Sequence, residues 1–216
     1  MGIAGNEDGD GSPAIGIPEY YRLNWARTTL DRTHNLQMHG IVELPFGKGK
    51  RWTNNGIGAA VLGGWQLNGV MSMYSGQPFT VTSPGTSLNA PGNSQRADLV
   101  KLEVARLGGA GPGQKYYDPT AFAEVRDVRF GTAGFNILDS PGTFNLDMGL
   151  FRSFKVTERI GLQFRAETFN FTNTPHFTAP NGNVTFSSFM EISGVRGLGR
   201  EGIDERVFRF GLRLGF

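Results

Sequence analysis

The sequence predicts an all-β fold of antiparallel strands, and three observations support this prediction. Glycine and proline contribute 32 and 11 of the 216 residues, and only 38% of the residues are apolar, which favours short strands and long loops over helices. Five segments alternate apolar and polar residues with the period of two that is typical of strands. No segment approaches 18 consecutive apolar residues, the length that a membrane-spanning helix requires.

The first two predicted strands lie at residues 34–45 and 65–75. Every second residue of a strand lies on the same face, so each segment has a definite apolar side. The apolar side of the first carries Leu36, Met38, Gly40, Val42 and Leu44, and that of the second carries Trp65, Leu67, Gly69, Met71 and Met73.

The other three predicted strands lie at residues 144–154, 160–171 and 206–216. Their apolar sides carry Phe144, Leu146, Met148, Leu150 and Phe154, then Ile160, Leu162, Phe164 and Ala166, then Phe208, Phe210, Leu212, Leu214 and Phe216. Arg152 interrupts the apolar side of the first of these. At about 3.3 Å per residue, each segment can cross about 30 Å of hydrocarbon when tilted.

The connections between the predicted strands differ in length. Residues 155–159 form a short charged turn, whereas residues 84–143 and 172–205 are long, and residues 46–64 are intermediate. If the C-terminus faces the periplasm, both long connections lie outside the cell and the short turn lies inside, as in outer-membrane barrels. The pattern therefore favours an antiparallel transmembrane β-barrel segment with long extracellular loops.

The polar sides of these strands are rich in amides, glycine and charged groups, which suit a water-filled lumen. The residues expected to face the lumen are Gln66, Asn68, Asn145, Gln163, Arg165, Glu167 and Arg209. Arg165 and Glu167 share one side of one strand, so an ion pair between them is expected.

Two other architectures remain open, because alternation alone does not distinguish them. A small self-contained barrel of about eight strands, with a structural or adhesive role, would need additional strands, for which residues 78–83, 126–132 and 184–190 are candidates. A soluble all-β binding module shares the same alternation.

Composition and motifs argue against several classes of function. The net charge of +2 gives no indication of nucleic-acid binding, and the absence of cysteine excludes disulfides and thiolate chemistry. His34, His39 and His176 are scattered, and Ser75 has no histidine or aspartate at a useful spacing. No catalytic, cofactor or metal site is therefore predicted.

An acidic segment near the N-terminus partly matches a calcium-binding loop. Asn6, Asp8 and Asp10 occupy the first, third and fifth positions, but the twelfth is Ile17 instead of glutamate. The missing bidentate ligand favours a solvated acidic segment, and weak calcium binding stays open.

Several stretches resemble a known family. They are "DRTHNLQMHGIVELPFGKGKRW", "GGWQLNGVMSMYSGQPFTV", "SPGTFNLDMGLFRSFKVTERIGLQFRAETFNFTNTPHF" and the closing "FRFGLRLGF". From about residue 20 to residue 216, the chain resembles the C-terminal part of TonB-dependent outer-membrane transporters. It is most similar to the Oar-like branch, in which a carboxypeptidase-regulatory-like domain precedes the plug.

This resemblance implies a fold, a location and partners. Such transporters are 22-stranded barrels in the outer membrane of Gram-negative bacteria, with an N-terminal plug and energy supplied by the TonB complex. Residues 1–33 would be an N-terminal flexible or extracellular loop segment, and residues 34–216 the C-terminal part of the barrel. Because the first residues lack the features of a signal peptide, the plug and the first strands are expected upstream. The expected activity is uptake of a bulky solute, such as an oligosaccharide or a peptide, and not catalysis.

The resemblance also gives a role to the C-terminal residues. Outer-membrane proteins end in a signal for the barrel-assembly machinery, and Arg209, Gly211, Leu214 and Phe216 match its pattern. A final strand with an unpaired edge can add to an edge of the assembly protein. The assembly machinery and outer-membrane lipid are therefore further expected partners.

Overall fold

The computed structural model describes residues 2–3, 14–53, 55–197 and 205–216, and the chain divides into two compact units. The first contains Met1–His34, Ser75–Thr143 and His176–Arg196, and the second contains Asn35–Tyr74, Phe144–Pro175 and Gly197–Phe216. The first unit gives way to the second after His34, one residue beyond the predicted boundary at residue 33. The described residues before this point belong to the first unit, which also contains most of both long connections.

The described residues form eleven strands and one α-helix. The strands are β1 (Gly2–Ile3), β2 (Trp25–Ala26), β3 (Asn35–Glu43), β4 (Trp65–Tyr74), β5 (Pro78–Phe79), β6 (Asp98–Leu99), β7 (Phe122–Ala123), β8 (Leu138–Asp139), β9 (Thr143–Lys155), β10 (Gly161–Phe169) and β11 (Val207–Gly215), and the helix is α1 (Gly56–Leu62). Short 3-10 helices occupy Pro18–Asn24 and Pro119–Ala121. None of the described helices has the length and apolar character needed to cross a membrane.

The second unit is a five-stranded sheet in the order β11-β10-β9-β4-β3. These are the five predicted strands, and their ends differ from the prediction by no more than two residues. The pairs β3–β4, β9–β10 and β10–β11 are antiparallel. The all-β antiparallel prediction is thus confirmed, and β3 and β11 are the edges of the sheet within the described residues.

The register places the predicted apolar sides on one face of the sheet. Leu162 lies opposite both Phe154 and Leu214, and Met38 lies opposite Met71. The rings of Trp65 and Phe164 meet edge to face at 5.9 Å between centroids, which connects β4 with β10 on this face. We call this surface the apolar face and the opposite surface the polar face.

The apolar face does not form the hydrophobic core of the described chain. Leu36 and Phe210 retain 49% and 73% exposure, and Met71, Leu146 and Leu162 are only partly buried. The buried apolar clusters contain none of these five residues. Within the described residues, this face is therefore left largely uncovered.

The first unit contains a packed core, which the alternation in the sequence did not predict. Its larger cluster includes Val81, Tyr116, Tyr117, Phe122 and Met190, and a smaller one includes Ile15, Leu88, Phe130 and Phe135. The paired strands in this unit are short: β1–β2, β5–β8 and β6–β7. Most of the two long connections, together with residues 14–34, thus form a folded body of their own.

Polar contacts join the two long connections within the first unit. The Lys115 ammonium lies 2.9 Å from the Glu191 carboxylate, and the Tyr116 N–H donates to the Met190 carbonyl at 2.8 Å. Because each contact joins residues more than 70 positions apart, these connections do not behave as independent loops.

The segments proposed as additional strands do not extend the sheet. Residues 78–79 form β5, which pairs with β8 in a small separate sheet, and residues 126–132 and 184–190 contain no strand. Within the described residues, the large sheet therefore has five strands.

Residues 44–64 contain the helix α1, which the sequence analysis did not predict. It ends where the Gly63 N–H donates to the Ala59 carbonyl at 3.0 Å. A Cβ at Gly63 would lie 2.5 Å from that carbonyl oxygen, so only glycine fits this position. Gly64 follows with φ of +75°, a conformation that glycine adopts without strain.

Candidate functional site

The polar face of the sheet brings together the residues predicted to face the lumen. Along β10, Gln163, Arg165 and Glu167 alternate with the apolar residues, and Glu167 lies opposite Arg209 in β11 and Gly149 in β9. Asn145 has the same parity in β9 as Gly149, so it shares this face.

The residues of β4 complete the set. Gln66 lies opposite Glu43, and Asn68 lies opposite Ile41. A shallow depression of about 210 Å³ is lined by residues from three strands, among them Asn68, Asp147 and Glu167. All seven predicted residues therefore lie on one face, although whether that face borders a lumen stays a prediction.

Arg165 and Arg209 are positioned by neighbours on this face. The Arg165 Nε donates to Gln163 Oε1 at 2.8 Å, and its guanidinium lies 5.5 Å from the centre of the Phe151 ring. The Arg209 guanidinium lies 5.0 Å from the centre of the Phe169 ring. Stacking on aromatic faces suits the planar guanidinium and favours a defined orientation.

The expected ion pair between Arg165 and Glu167 is not formed among the described residues. Arg165 turns toward Gln163 instead, two positions back along the same strand. Exposed ion pairs contribute little free energy, so the amide contact and the Phe151 ring are sufficient to hold Arg165 elsewhere.

Two amide oxygens on the polar face, those of Asn68 and Asn145, are buried. Asn145 is 2% exposed, and Oδ1 of Asn145 and Oδ1 of Asn68 accept no hydrogen bond from the described residues. The Asp147 carboxylate accepts the Asn170 N–H at 2.9 Å. Buried acceptors without a protein donor are uncommon, so the amide oxygens of Asn68 and Asn145 can each accept a hydrogen bond from water or from a group outside the described chain.

The sequence analysis missed several polar-face residues that contribute to its chemistry. Phe151 and Phe169 supply the rings beneath the two arginines, and the Gln37 amide donates to the Tyr74 hydroxyl at 2.7 Å. Their parity along the strands was the available signal, but it did not indicate that these residues contact the arginines or one another. The face therefore offers amides, charges and aromatic rings together.

Ser75 has a structural role at the start of a long connection. Its hydroxyl accepts the His34 N–H at 3.0 Å, and its carbonyl accepts the Arg32 guanidinium at 2.9 Å. The three histidines occupy different places. His34 makes the contact with Ser75, His39 is exposed in β3 opposite Val70, and His176 is fully buried in the first unit. The possible calcium loop at Asn6, Asp8 and Asp10 lies outside the described residues.

The proposed assembly signal occupies an edge of the sheet. Arg209, Gly211 and Leu214 lie in β11 opposite Glu167, Arg165 and Leu162. Phe216 follows the strand and is 99% exposed. In the described chain, the other side of β11 faces no further strand, which is the geometry that β-augmentation requires.

Comparison with known proteins gives a family. A family model described as outer membrane beta barrel domain matches residues 2–203 of the chain. No curated protein matches the chain, and no solved structure matches it. The match covers most of the sequence and agrees with the antiparallel sheet. The chain thus belongs to the outer membrane beta barrel domain family, and its location is the outer membrane.

Proposed function

We propose that the chain forms part of the barrel wall and the outer loops of a TonB-dependent receptor that takes up a bulky solute. The family gives an outer-membrane barrel, and the resemblance described above supports the more specific transporter class. The solute class that fits the polar face best is an oligosaccharide or a peptide, because both offer many hydrogen-bonding groups to amides and charged side chains.

The observation that carries this proposal is the open five-stranded sheet with two chemically distinct faces. Its edges, β3 and β11, have no neighbour on their outer side in the described chain. In lipid, each unpaired backbone group costs several kcal/mol. Further strands are therefore needed to close a barrel, and upstream strands of a large transporter would supply them.

The two faces then have different environments. The apolar face would contact acyl chains, while Gln66, Asn68, Gln163, Arg165, Glu167 and Arg209 would face the lumen and meet the plug or the passing solute. Asn145 has the same parity but is only 2% exposed, so it would support this face from beneath and would not meet the solute. The ends of β4 and β10 and the starts of β9 and β11 carry the two long connections, so these connections would be extracellular and would capture the solute. Their packed core gives them a defined surface for this task.

A self-contained barrel with a structural or adhesive role is the second candidate. It would use the same outer-membrane location, but the described residues supply only five strands to the sheet. A soluble binding module, by contrast, is inconsistent with the family and its location.

Uptake measurements in cells test the proposed function. A strain that produces the full-length gene product would be given fluorescent oligosaccharide and peptide pools, with and without a functional TonB complex. We expect periplasmic accumulation of one pool only when both the gene product and the TonB complex are present. Accumulation that does not depend on the TonB complex would contradict the proposal, as would a full-length product that has no upstream strands and forms a closed small barrel.

A further inference from the structure

We propose that the described residues between β3 and β4, 44–53 and 55–64, form a membrane anchor in which α1 lies among phospholipid headgroups. We call these residues the interface segment. The proposal depends on the outer-membrane location and on lipid contact by the apolar face, and it does not depend on TonB-driven uptake.

The helix α1 is attached to the apolar face, and not to the polar face. The Trp65 indole N–H donates to the Val61 carbonyl at 3.1 Å, and the Arg152 guanidinium donates to the carbonyls of Ala60 and Val61. Trp65 and Arg152 both belong to the apolar face, because the Arg152 guanidinium lies 5.4 Å from the centre of the Trp65 ring and Trp65 meets Phe164.

These contacts explain why an arginine interrupts the apolar side of β9. A cation near the last carbonyls of a helix is favourable, because those carbonyls carry partial negative charge and lack partners in the helix. An arginine that faces lipid is strongly destabilising at the bilayer midplane and much less so near the interface. Arg152 lies near the end of β9, beside Trp65 and Phe154, so an interfacial position fits it.

The side chains of α1 face away from the protein. Ile57 is 83% exposed, Val61 is 56% exposed and Leu62 is 47% exposed, and the helix contains no charged residue. Because the end of α1 is bonded to Trp65 and Arg152, these groups add exposed apolar surface next to the apolar face. If that face contacts acyl chains, the helix meets the same bilayer at its boundary.

The residues before α1 suit the headgroups themselves. Lys48 and Arg51 are exposed, and the Arg51 guanidinium lies 5.8 Å from the ring centre of Trp52, which is 50% exposed. Cations and tryptophan are typical of the boundary between water and hydrocarbon, where they bind phosphate groups and the glycerol region. The partner of the interface segment is therefore a phospholipid surface with anionic headgroups.

The side of the membrane follows from the connections. The interface segment and the short turn at residues 156–160 lie at the end of the sheet opposite the long connections. Short connections of outer-membrane barrels face the periplasm. The interface segment would therefore contact the periplasmic leaflet.

Depth-dependent fluorescence quenching tests the anchor. Residues 1–216 contain no cysteine. Once any cysteine outside them has been replaced by serine, Ile57→Cys in the full-length protein can carry a single bimane label in phosphatidylethanolamine–phosphatidylglycerol vesicles. We expect blue-shifted emission and stronger quenching by a lipid with its nitroxide near the headgroup than by one with its nitroxide at the chain terminus.

Labels at two control positions calibrate the membrane depth measured with the Ile57 label. Val156→Cys lies in the short turn at the same end of the sheet and is also an exposed aliphatic position, so its label should report water. Leu150→Cys lies on the apolar face nearer the middle of β9, so the deeper nitroxide should quench its label more. A label at Ile57 that behaves like the one at Val156 would overturn the proposal.

Arg152→Leu tests the attachment of α1 separately. Without the guanidinium, the last helix carbonyls lose a partner, and we expect weaker quenching of the Ile57 label by the shallow nitroxide. Unchanged quenching in this variant would show that Arg152 does not hold the helix at the interface. Circular dichroism and resistance to heat check that the barrel remains folded.

Discussion

Arg96 in the first unit is a buried cation with a structural role. It is 5% exposed, and its guanidinium donates to the carbonyls of Gly131 at 2.7 Å and Leu23 at 3.3 Å. The guanidinium also lies 5.3 Å from the centre of the Phe135 ring. Burial lowers the pKa of Arg96, but an arginine remains protonated in proteins. The side chain therefore joins three parts of the first unit.

Replacing Arg96 by methionine should loosen the first unit. The carbonyls of Gly131 and Leu23 would lose their donor, at a cost of about 1–3 kcal/mol for unsatisfied buried groups. We expect faster hydrogen exchange of the backbone around residues 23 and 131 in the full-length protein, measured by mass spectrometry.

Arg126→Met is the matched control, because the Arg126 side chain is 85% exposed and its ion pair with Glu124 is long, at 3.5 Å. We expect unchanged exchange in this variant. Equal exchange in the Arg96 and Arg126 variants would contradict the role assigned to Arg96.

Phe216 should contribute to assembly although its side chain is 99% exposed in the described chain. Phe216→Ala removes the terminal aromatic of the proposed assembly signal, so the folded fraction in outer membranes should fall. Phe210→Ala removes the same ring from the apolar face of β11, where Phe210 is 73% exposed. Heat-modifiable gel mobility measures the folded fraction. If the two variants assemble equally well, Phe216 acts only as another apolar residue.

At the scale of single strands, the two faces should respond differently to a new charge. Met71 lies on the apolar face opposite Met38, and the next residue, Ser72, lies on the polar face opposite Gln37. Met71→Arg places a cation in hydrocarbon at a cost of about 2–4 kcal/mol near the midplane, whereas Ser72→Arg places it in a polar environment. We expect a large loss of folded protein in outer membranes for Met71→Arg and a small one for Ser72→Arg. The reverse order would show that the faces have been assigned the wrong way round.

Ion pairs in the first unit give the long connections a defined acid sensitivity. Hydrogen bonds from Lys101, and then from Thr120, lower the pKa of Asp118 from 3.8 to about 2. Arg129 lowers the pKa of Asp98, and Lys115 lowers that of Glu191. A carboxyl group with a lowered pKa in the folded state stabilises that state above its unfolded pKa, and this stabilisation is lost as the pH falls through the folded value.

Pepsin digestion at different pH values tests this sensitivity. We expect the first unit to resist cleavage near pH 4 and to lose resistance as the pH falls from 3.8 toward about 2. Asp118→Asn should be less resistant than the native protein at pH 4 and should change less below it. Equal resistance of the native protein and this variant at pH 4 would contradict the contribution of Asp118.

Across the whole molecule, the five long strands were predictable, whereas the short strands and the packed connections were not. The period of two determines both the bounds and the faces of β3, β4, β9, β10 and β11, because alternate residues must point to opposite sides. The core of the first unit joins residues such as Val81, Tyr116 and Met190, whose spacing in sequence has no period. Their association depends on long-range contacts, which a local pattern does not contain.

The missed features of the candidate site have local physical causes. The helix α1 is seven residues long and includes two glycines, so neither its length nor its composition indicates a helix. The sequence alone did not explain why Arg152 interrupts the apolar side of β9, because its partner, the end of α1, was not predicted. Phe151 and Phe169 had the parity of the polar face, but an aromatic residue by itself favours neither side.

Site-directed spin labelling of β10 most directly tests whether one face of the sheet contacts lipid while the other contacts water. Residues 1–216 contain no cysteine, so once any cysteine outside them has been replaced by serine, residues 162–167 of the full-length protein can be labelled one at a time in lipid bilayers. We predict that oxygen relaxes labels at Leu162, Phe164 and Ala166 most strongly, while a water-soluble nickel complex acts on Gln163, Arg165 and Glu167. If the labels at Leu162, Phe164 and Ala166 are instead shielded from both reagents, that face is a protein core, and the proposed barrel wall is wrong.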